Sequence, residues 1–305
     1  MPSVLQTAST TASLKKDGHA VQAIPLPNQD HLIGQILVKH GKLDPAKIPE
    51  ILQHQQQKNI RFGDAAMQLG YVKEADVRYA LSRQYQYPCL SEGDGLASDD
   101  LVAAYQPFSQ QTEELRHLRS QLMLRWFTTM PMRNTLAIIS AQHGEGRSYL
   151  TANLAVLFSQ LGKRVLLIDA DMRKPSQHKH FNLPNQSGLS SILSGRSDAT
   201  CIQQVPSFKH LSLLTAGPTP PNPQELLGQP LFNSLLVYAG QEFDVVLLDT
   251  PAASEYADAT SIAMHSRGAL LVSRRDASKL GATFQITENL AQVGVPLVGA
   301  VLNHF

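Results

Sequence analysis

The stretch Ala141-Gln-His-Gly144-Glu145-Gly146-Arg147-Ser148 combines the residue types that hold a phosphate. Gly144 and Gly146 let the backbone bend around an anion. The loop amides and the start of the following helix turn positive potential toward it. Arg147 adds a cation, and Ser148 stands where a Mg²⁺-binding hydroxyl belongs in a strand–loop–helix phosphate cradle, the P-loop. Two residues depart from the usual pattern: Ala141 replaces the first glycine and Arg147 the lysine. A guanidinium bridges phosphate oxygens, but its planar fork is bulkier and less mobile than an ammonium. Phosphate binding is therefore expected to survive this change better than turnover.

Two carboxylate motifs support the cradle. Val165–Ile168 runs into Asp169-Ala-Asp171-Met-Arg173, and Val245–Leu248 runs into Asp249-Thr-Pro251. Ligands of open α/β sheets gather at the carboxyl ends of strands, which puts all three acids beside the loop. Asp249 is placed to hold Mg²⁺ through water. Asp169 or Asp171 either contacts the metal or orients the attacking group. A single strand-ending Asp is commonly a helix cap, and a glycine-rich turn alone needs no ligand. The P-loop and both carboxylate motifs together make those readings inadequate.

The elements that position these residues read as strands at Leu136–Ser140, Arg164–Asp169, Leu211–Thr215, Asp244–Asp249, Ala269–Ser273 and Pro296–Leu302. The runs are nearly continuously apolar, as in parallel strands covered on both faces. Helical stretches separate them, so residues 112–305 are expected to form a doubly wound, mostly parallel α/β domain. Its first element is a helix over Thr112–Phe127, with Leu115, Leu118, Leu122 and Trp126 on one side. Residues 92–111, which follow Ser91 and include Pro107, read as a linker, and residues 1–28 as a polar, disordered lead-in.

Residues 29–91 hold a two-copy repeat. Gly34, Gly41, Leu43, Ile48, Leu52 and Gln55 recur 29 positions later as Gly63, Gly70, Val72, Val77, Leu81 and Gln84. Each copy reads as a helix ended by glycine, a polar turn and a second helix. Packed together, two such units bury apolar faces that neither buries alone.

Bulk properties narrow the partners. A net charge of +1 offers no electrostatic case for nucleic acid. No apolar run nears the roughly 20 residues that span a bilayer. Cys89 and Cys201 lie far apart and form no metal or redox motif, which suits a reducing compartment. A cytoplasmic protein is expected, reaching the membrane's inner face through a partner.

Five motifs occur in a recognisable order: Gly144–Ser148, Asp169–Arg173, Pro220-Pro-Asn-Pro-Gln-Glu-Leu-Leu227, Asp249-Thr-Pro251 and Val301-Leu-Asn303. With Glu113-x-x-Arg116-x-x-Arg119, residues 105–305 resemble the bacterial tyrosine kinases, MinD-like P-loop proteins that control exopolysaccharide chain length. Among them they are similar to the EpsG-like chain-length determinant kinases, which share an arginine in the P-loop. The resemblance implies ATP binding by Gly144, Glu145, Gly146, Arg147, Ser148 and Tyr149, with Asn303 near the adenine. It implies Mg²⁺ at Ser148, Asp169 and Asp249, and catalysis through Asp169, Asp171 and Arg147. It further implies homo-oligomerisation through Glu113, Arg116 and Arg119, and a membrane polysaccharide co-polymerase as partner. On charge pattern alone, the Glu113–Arg119 helix also reads as a solvated face, since charge pairs three apart are common.

The repeat resembles the N-terminal domain of type II secretion ATPases, some of which bind cyclic di-GMP. Its second copy carries Arg61-Phe62-Gly63, but its first has Leu32-Ile33-Gly34. Protein docking or a weakened cyclic di-GMP site is expected.

Two functions fit the whole: a tyrosine kinase of polysaccharide assembly, or a nucleotide-switched regulator that docks on the membrane partner without phosphorylating. A partitioning ATPase fits less well, because no lysine lies between Ser140 and Ser148. The family commonly offers a tyrosine-rich tail as acceptor, and this sequence ends directly after its last strand, at Phe305. Little autophosphorylation is expected, at Tyr85, Tyr87 or Tyr105, which flank the linker.

Overall fold

The computed structural model describes residues 32–84, 89–90, 95–128 and 133–304. The expected lead-in, Tyr85 and Tyr87 lie outside the described residues.

The repeat forms two helical pairs, α1 (Ile33–Lys39) with α2 (Ile48–Lys58), and α3 (Phe62–Gln68) with α4 (Glu74–Gln84). The helices exchange partners: α1 packs mainly on α4, and α2 on α3. The matched glycines make close approach possible. A Cβ on Gly34 would lie 3.0 Å from Phe62 Cζ, and one on Gly63 would lie 2.7 Å from Val77 Cγ1. The turns after α1 and α3 need a left-handed residue, supplied by Gly41 (φ 66°) and Gly70 (φ 72°). Ile36, Leu37, Ile51, Ala65, Ala66 and Ala80 form a core of their own.

The stretch expected to be a linker carries a packed element. Leu101 and the short helix α5 (Val102–Tyr105) contribute buried Leu101, Ala103, Ala104 and Tyr105 to the core of the following domain. Asn153 ties this piece down: its Oδ1 accepts from Ala103 N at 3.0 Å and its Nδ2 donates to Asp100 O at 3.1 Å. At least residues 101–105 therefore belong to the α/β domain. A four-residue helix held by tertiary contacts leaves too little periodicity to read in sequence.

Helix α6 (Gln110–Leu122) starts at Ser109, whose hydroxyl accepts from Thr112 N, and ends in a π turn, Met123–Phe127. Then come β1 (Thr135–Ser140), α7 (Arg147–Gln160), β2 (Val165–Asp169), α8 (Gln177–His180), α9 (Leu189–Leu193), β3 (Gln203–Gln204), β4 (Leu211–Leu214), α10 (Pro223–Leu227) and α11 (Pro230–Glu242). The chain closes with β5 (Val245–Asp249), α12 (Asp258–Ser266), β6 (Ala269–Arg274), α13 (Leu280–Gln292) and β7 (Leu297–Asn303).

Among the described residues the strands form one seven-stranded sheet, ordered β3-β4-β2-β5-β1-β6-β7. All pairings are parallel except the short antiparallel β3–β4 edge. One apolar core lies on each face, as expected of a doubly wound fold. The P-loop follows β1, and β1 and β2 flank β5, so the three strand ends that carry site residues are neighbours. Among the described residues no helix is long and apolar enough to cross a membrane.

Candidate active site

Gly144 (φ 79°) and Gly146 (φ 90°) both take the left-handed conformation that lets the P-loop turn into α7. Glu145 is buried, and its carboxylate faces inward: it accepts from Gln142 N at 2.7 Å and from the Ser278 hydroxyl. Asn303, at the end of β7, donates to Glu145 O at 2.8 Å. The last strand is thus bonded to the loop.

Arg147 is drawn into the base of the cradle. Its Nε donates to Thr250 O at 2.8 Å, and its Nη1 donates to Gln142 O at 2.8 Å and to the Ser140 hydroxyl. A lysine at this place has one ammonium to spend. The arginine fork satisfies three acceptors at once, Gln142 in the loop, Ser140 at the end of β1 and Thr250 beyond β5, and the side chain is buried.

Below the loop, parallel registry sets Asp169 directly beside Asp249. Both are fully buried. Asp169 Oδ2 accepts from Ser176 N (3.0 Å) and Gln177 N (2.9 Å), and Asp249 Oδ2 accepts from Gln177 Nε2 (2.7 Å). The Oδ1 atoms of both have no hydrogen-bond partner. Burial drives the Asp169 carboxyl well above the ordinary range, and the neighbouring Asp249 charge adds to the rise. Burial also pushes Asp249 up to about 6, while the Ser148 hydroxyl and the Arg147 charge pull it down. Two adjacent buried acids with open oxygens suit a cation that would take up both.

Asp171 is arranged differently. Its Oδ1 accepts from Arg173 N (3.1 Å) and Lys174 N (2.8 Å), which orients the carboxylate as the chain leaves β2. Arg173 forks onto Asp258 at the start of α12, with Nε–Oδ2 at 2.8 Å and Nη2–Oδ1 at 3.3 Å.

Gln177 was not legible in the sequence. Besides Asp249, its Nε2 reaches Ser148 O at 3.0 Å, and its backbone N donates to Asp169, so one buried residue joins the two carboxylate motifs to the P-loop helix. Glutamine carries no motif signal. Its position eight residues after Asp169 gains meaning only once α8 folds back over the strand ends.

The Tyr149 side chain leaves the loop and accepts from Gln111 Nε2 at 2.9 Å. It lines an open groove of about 760 Å³ between α6, α7 and β7, together with His117, Leu118 and Leu302. Burial pushes its phenol up to about 12. In the helix expected to mediate assembly, Glu113 and Arg116 pair with each other, and Arg119 Nη1 donates to Leu157 O at 3.2 Å. Tyr105, expected as a mobile acceptor, is 5% exposed and donates to Ala97 O at 2.9 Å. It is a structural residue, so that expectation is withdrawn.

Comparison with known proteins agrees with this geometry. Residues 136–305 match the CobQ/CobB/MinD/ParA nucleotide binding domain. The chain belongs to that family. It is 37% identical over 204 residues to tyrosine-protein kinase YwqD of Bacillus subtilis, covering 67% of this chain and 85% of the relative. The kinase domain of Escherichia coli tyrosine kinase ETK superposes with a TM-score of 0.64 at 31% identity, over 67% of this chain and 79% of that one. The chimerical protein CapA2B2 superposes with a TM-score of 0.63 at 31% identity, over 74% and 97% of the two chains. Within the family this chain therefore stands with the bacterial tyrosine kinases and shares their MinD-like P-loop fold.

Proposed function

We propose that this protein is an ATP- and Mg²⁺-dependent protein-tyrosine kinase that regulates exopolysaccharide biosynthesis, export or chain length. The observation that carries the reading is the buried Asp169–Asp249 pair with its open oxygens beside the P-loop. Ser148, Asp169 and Asp249 would hold Mg²⁺, which neutralises phosphate charge when bound. Among the described residues no three His, Cys, Asp or Glu side chains cluster as a metal cage. Mg²⁺ takes one or two carboxylates and fills its shell with water and phosphate oxygens.

The chain's own residues supply the rest. The amides from Gly144 to Tyr149 cradle the phosphates, and Arg147 braces the loop from below. Glu145, buried and bonded to Ser278, fixes the loop's shape, and Asn303 anchors the side where the adenine would lie. Asp171, oriented by two amides, accepts the proton of an incoming phenol. The names of YwqD and ETK as tyrosine kinases support this choice of reaction.

The proposal includes a cytoplasmic location at the inner face of the membrane, reached through a polysaccharide co-polymerase. It includes subunit contacts made by Glu113, Arg116 and Arg119. It also includes protein docking, or weak cyclic di-GMP binding, by the repeat domain, where Arg61 has only Leu32 as its counterpart.

One observation favours the second reading, a nucleotide-switched regulator that does not phosphorylate: Arg147 already has three partners within the protein. Radiolabelled ATP distinguishes the two. A kinase transfers label to tyrosine in the wild type and not in Asp249→Ala. A pure switch binds ATP and leaves protein unlabelled in both.

A further inference from the structure

The tyrosines in the described residues have different surroundings. Tyr71 and Tyr79 belong to the repeat domain, against Lys47 and His40 respectively. Tyr105 is buried, and the Tyr149 phenol is held by Gln111. Tyr238 lies on α11, which leads into the N-terminal end of β5, away from the nucleotide. Tyr256 is in the connection from β5 to α12, just beyond Asp249-Thr-Pro251, and is 38% exposed.

Tyr256 has a specific setting. Its ring lies over the Arg173 guanidinium, 3.6 Å from the ring centroid. The neighbouring Lys174 Nζ is 3.6 Å from Glu255. Arg173 and Lys174 are the same two residues whose amides orient Asp171. An accessible phenol thus sits over the segment that carries the proposed proton acceptor, stacked on the Arg173 cation, with Lys174 paired to the adjacent Glu255.

We propose that Tyr256 is a phosphoryl acceptor of this chain and that its phosphate regulates the site. The inference rests on the kinase reading. In the step, the phenol oxygen forms a bond to the γ-phosphorus of ATP while the bond to the β,γ-bridging oxygen breaks. ADP leaves, and the phenol proton passes to Asp171 and on to water. The product carries close to two negative charges and three acceptor oxygens. Arginine binds such a group bidentately, so the phosphate competes with Asp258 for the Arg173 fork. The Lys174–Glu255 pair is exposed on both sides and yields at little cost. Asp258 is buried, and loss of its cation leaves only the first turn of α12 to stabilise its charge. Phosphorylation therefore shifts the Arg173 segment, and Asp171 with it, making turnover sensitive to the chain's own modification.

The test is phosphopeptide mass spectrometry on the full chain incubated with ATP and Mg²⁺, with ATP hydrolysis followed in parallel. Wild type, Asp249→Ala and Tyr256→Phe are compared; the phenylalanine keeps a ring over Arg173. The expected result is phosphate on Tyr256 in wild type, none in Asp249→Ala, and loss of that label in Tyr256→Phe with hydrolysis retained. Phosphatase treatment should change the hydrolysis rate of wild type but not of Tyr256→Phe. Tyrosine label confined to other positions, such as Tyr85 or Tyr87, overturns this proposal and leaves the kinase reading standing. Hydrolysis with no tyrosine label overturns both. A rate unaffected by the phosphatase in a labelled wild type overturns the regulatory role.

Discussion

Asp249 is the residue at which stability and function oppose each other. Its carboxyl is raised to about 6 by burial, and Asp169 beside it is raised as well. A raised acid contributes stability below its ordinary titration range and loses it as pH rises through the folded value. Without Mg²⁺, the pair should therefore weaken the fold progressively as pH rises from about 4, the ordinary carboxylate range, through the raised folded values, because both acids resist ionising in place. Asp249→Asn is expected to be more stable than wild type at pH 7.5 by on the order of 1–3 kcal/mol, given 1.36 kcal/mol per pKa unit. The difference should fall to about half near pH 5 and close only below about pH 4, the ordinary carboxylate range, as read from urea unfolding in EDTA at these pH values. Arg147 supplies a second prediction. Arg147→Lys loses the bonds to Thr250, Ser140 and Gln142 that a single ammonium cannot all replace. It is expected to lose about 1–2 kcal/mol of stability while turning ATP over faster, since the freed ammonium reaches phosphate. A slower variant would mean the fork itself serves the reaction.

At the scale of elements, β1, β2, β4, β5, β6 and β7 were legible within a residue or two, because buried parallel strands are written as apolar runs. The β3 strand, Gln203–Gln204, was not, since its two polar residues become a strand only by pairing with β4. The meeting of the P-loop and the aspartate motifs at neighbouring strand ends was legible, because motifs at the carboxyl ends of parallel strands share one edge of the sheet. Gln177 and the Ser278–Glu145 contact were not, because each joins segments far apart in sequence. The apolar side of the helix over residues 112–127 was also legible, and its anchor is Trp126, whose Nε1 donates to Thr135 O at 2.9 Å. The indole rests on Gly268, where an added Cβ would overlap the ring and lie 3.1 Å from Cε2. Gly268→Ala should therefore cost about 1–3 kcal/mol through overpacking, measured by urea unfolding, and should displace α6. If α6 carries the subunit contact, Glu113→Ala/Arg116→Ala/Arg119→Ala should stay folded and lose ATP-dependent assembly in light scattering. Unchanged assembly would place the contact elsewhere.

Across the whole molecule, a helical repeat with its own core precedes an α/β domain whose site gathers where β1, β2 and β5 end. The repeat was visible in sequence as six matched positions, but the exchange of partners between its copies was not, since periodicity reports faces and not which faces meet. The reach of the α/β domain was underestimated for the same reason, as α5 is held by Asn153 and Gln160 of α7. The nucleotide site is the central claim, and the melting temperature of the full chain with and without millimolar ATP–Mg²⁺ tests it most directly. A ligand bound only to the folded state stabilises by about 2.7 kcal/mol at a hundredfold excess over Kd. For a domain of this size that is a rise of several degrees, at roughly 2–4 °C per kcal/mol. Wild type is expected to show that rise only when Mg²⁺ accompanies ATP, and Asp249→Ala is expected to lose it. An unmoved wild type, or an equal shift in the variant, would contradict a site built on the P-loop and Asp249.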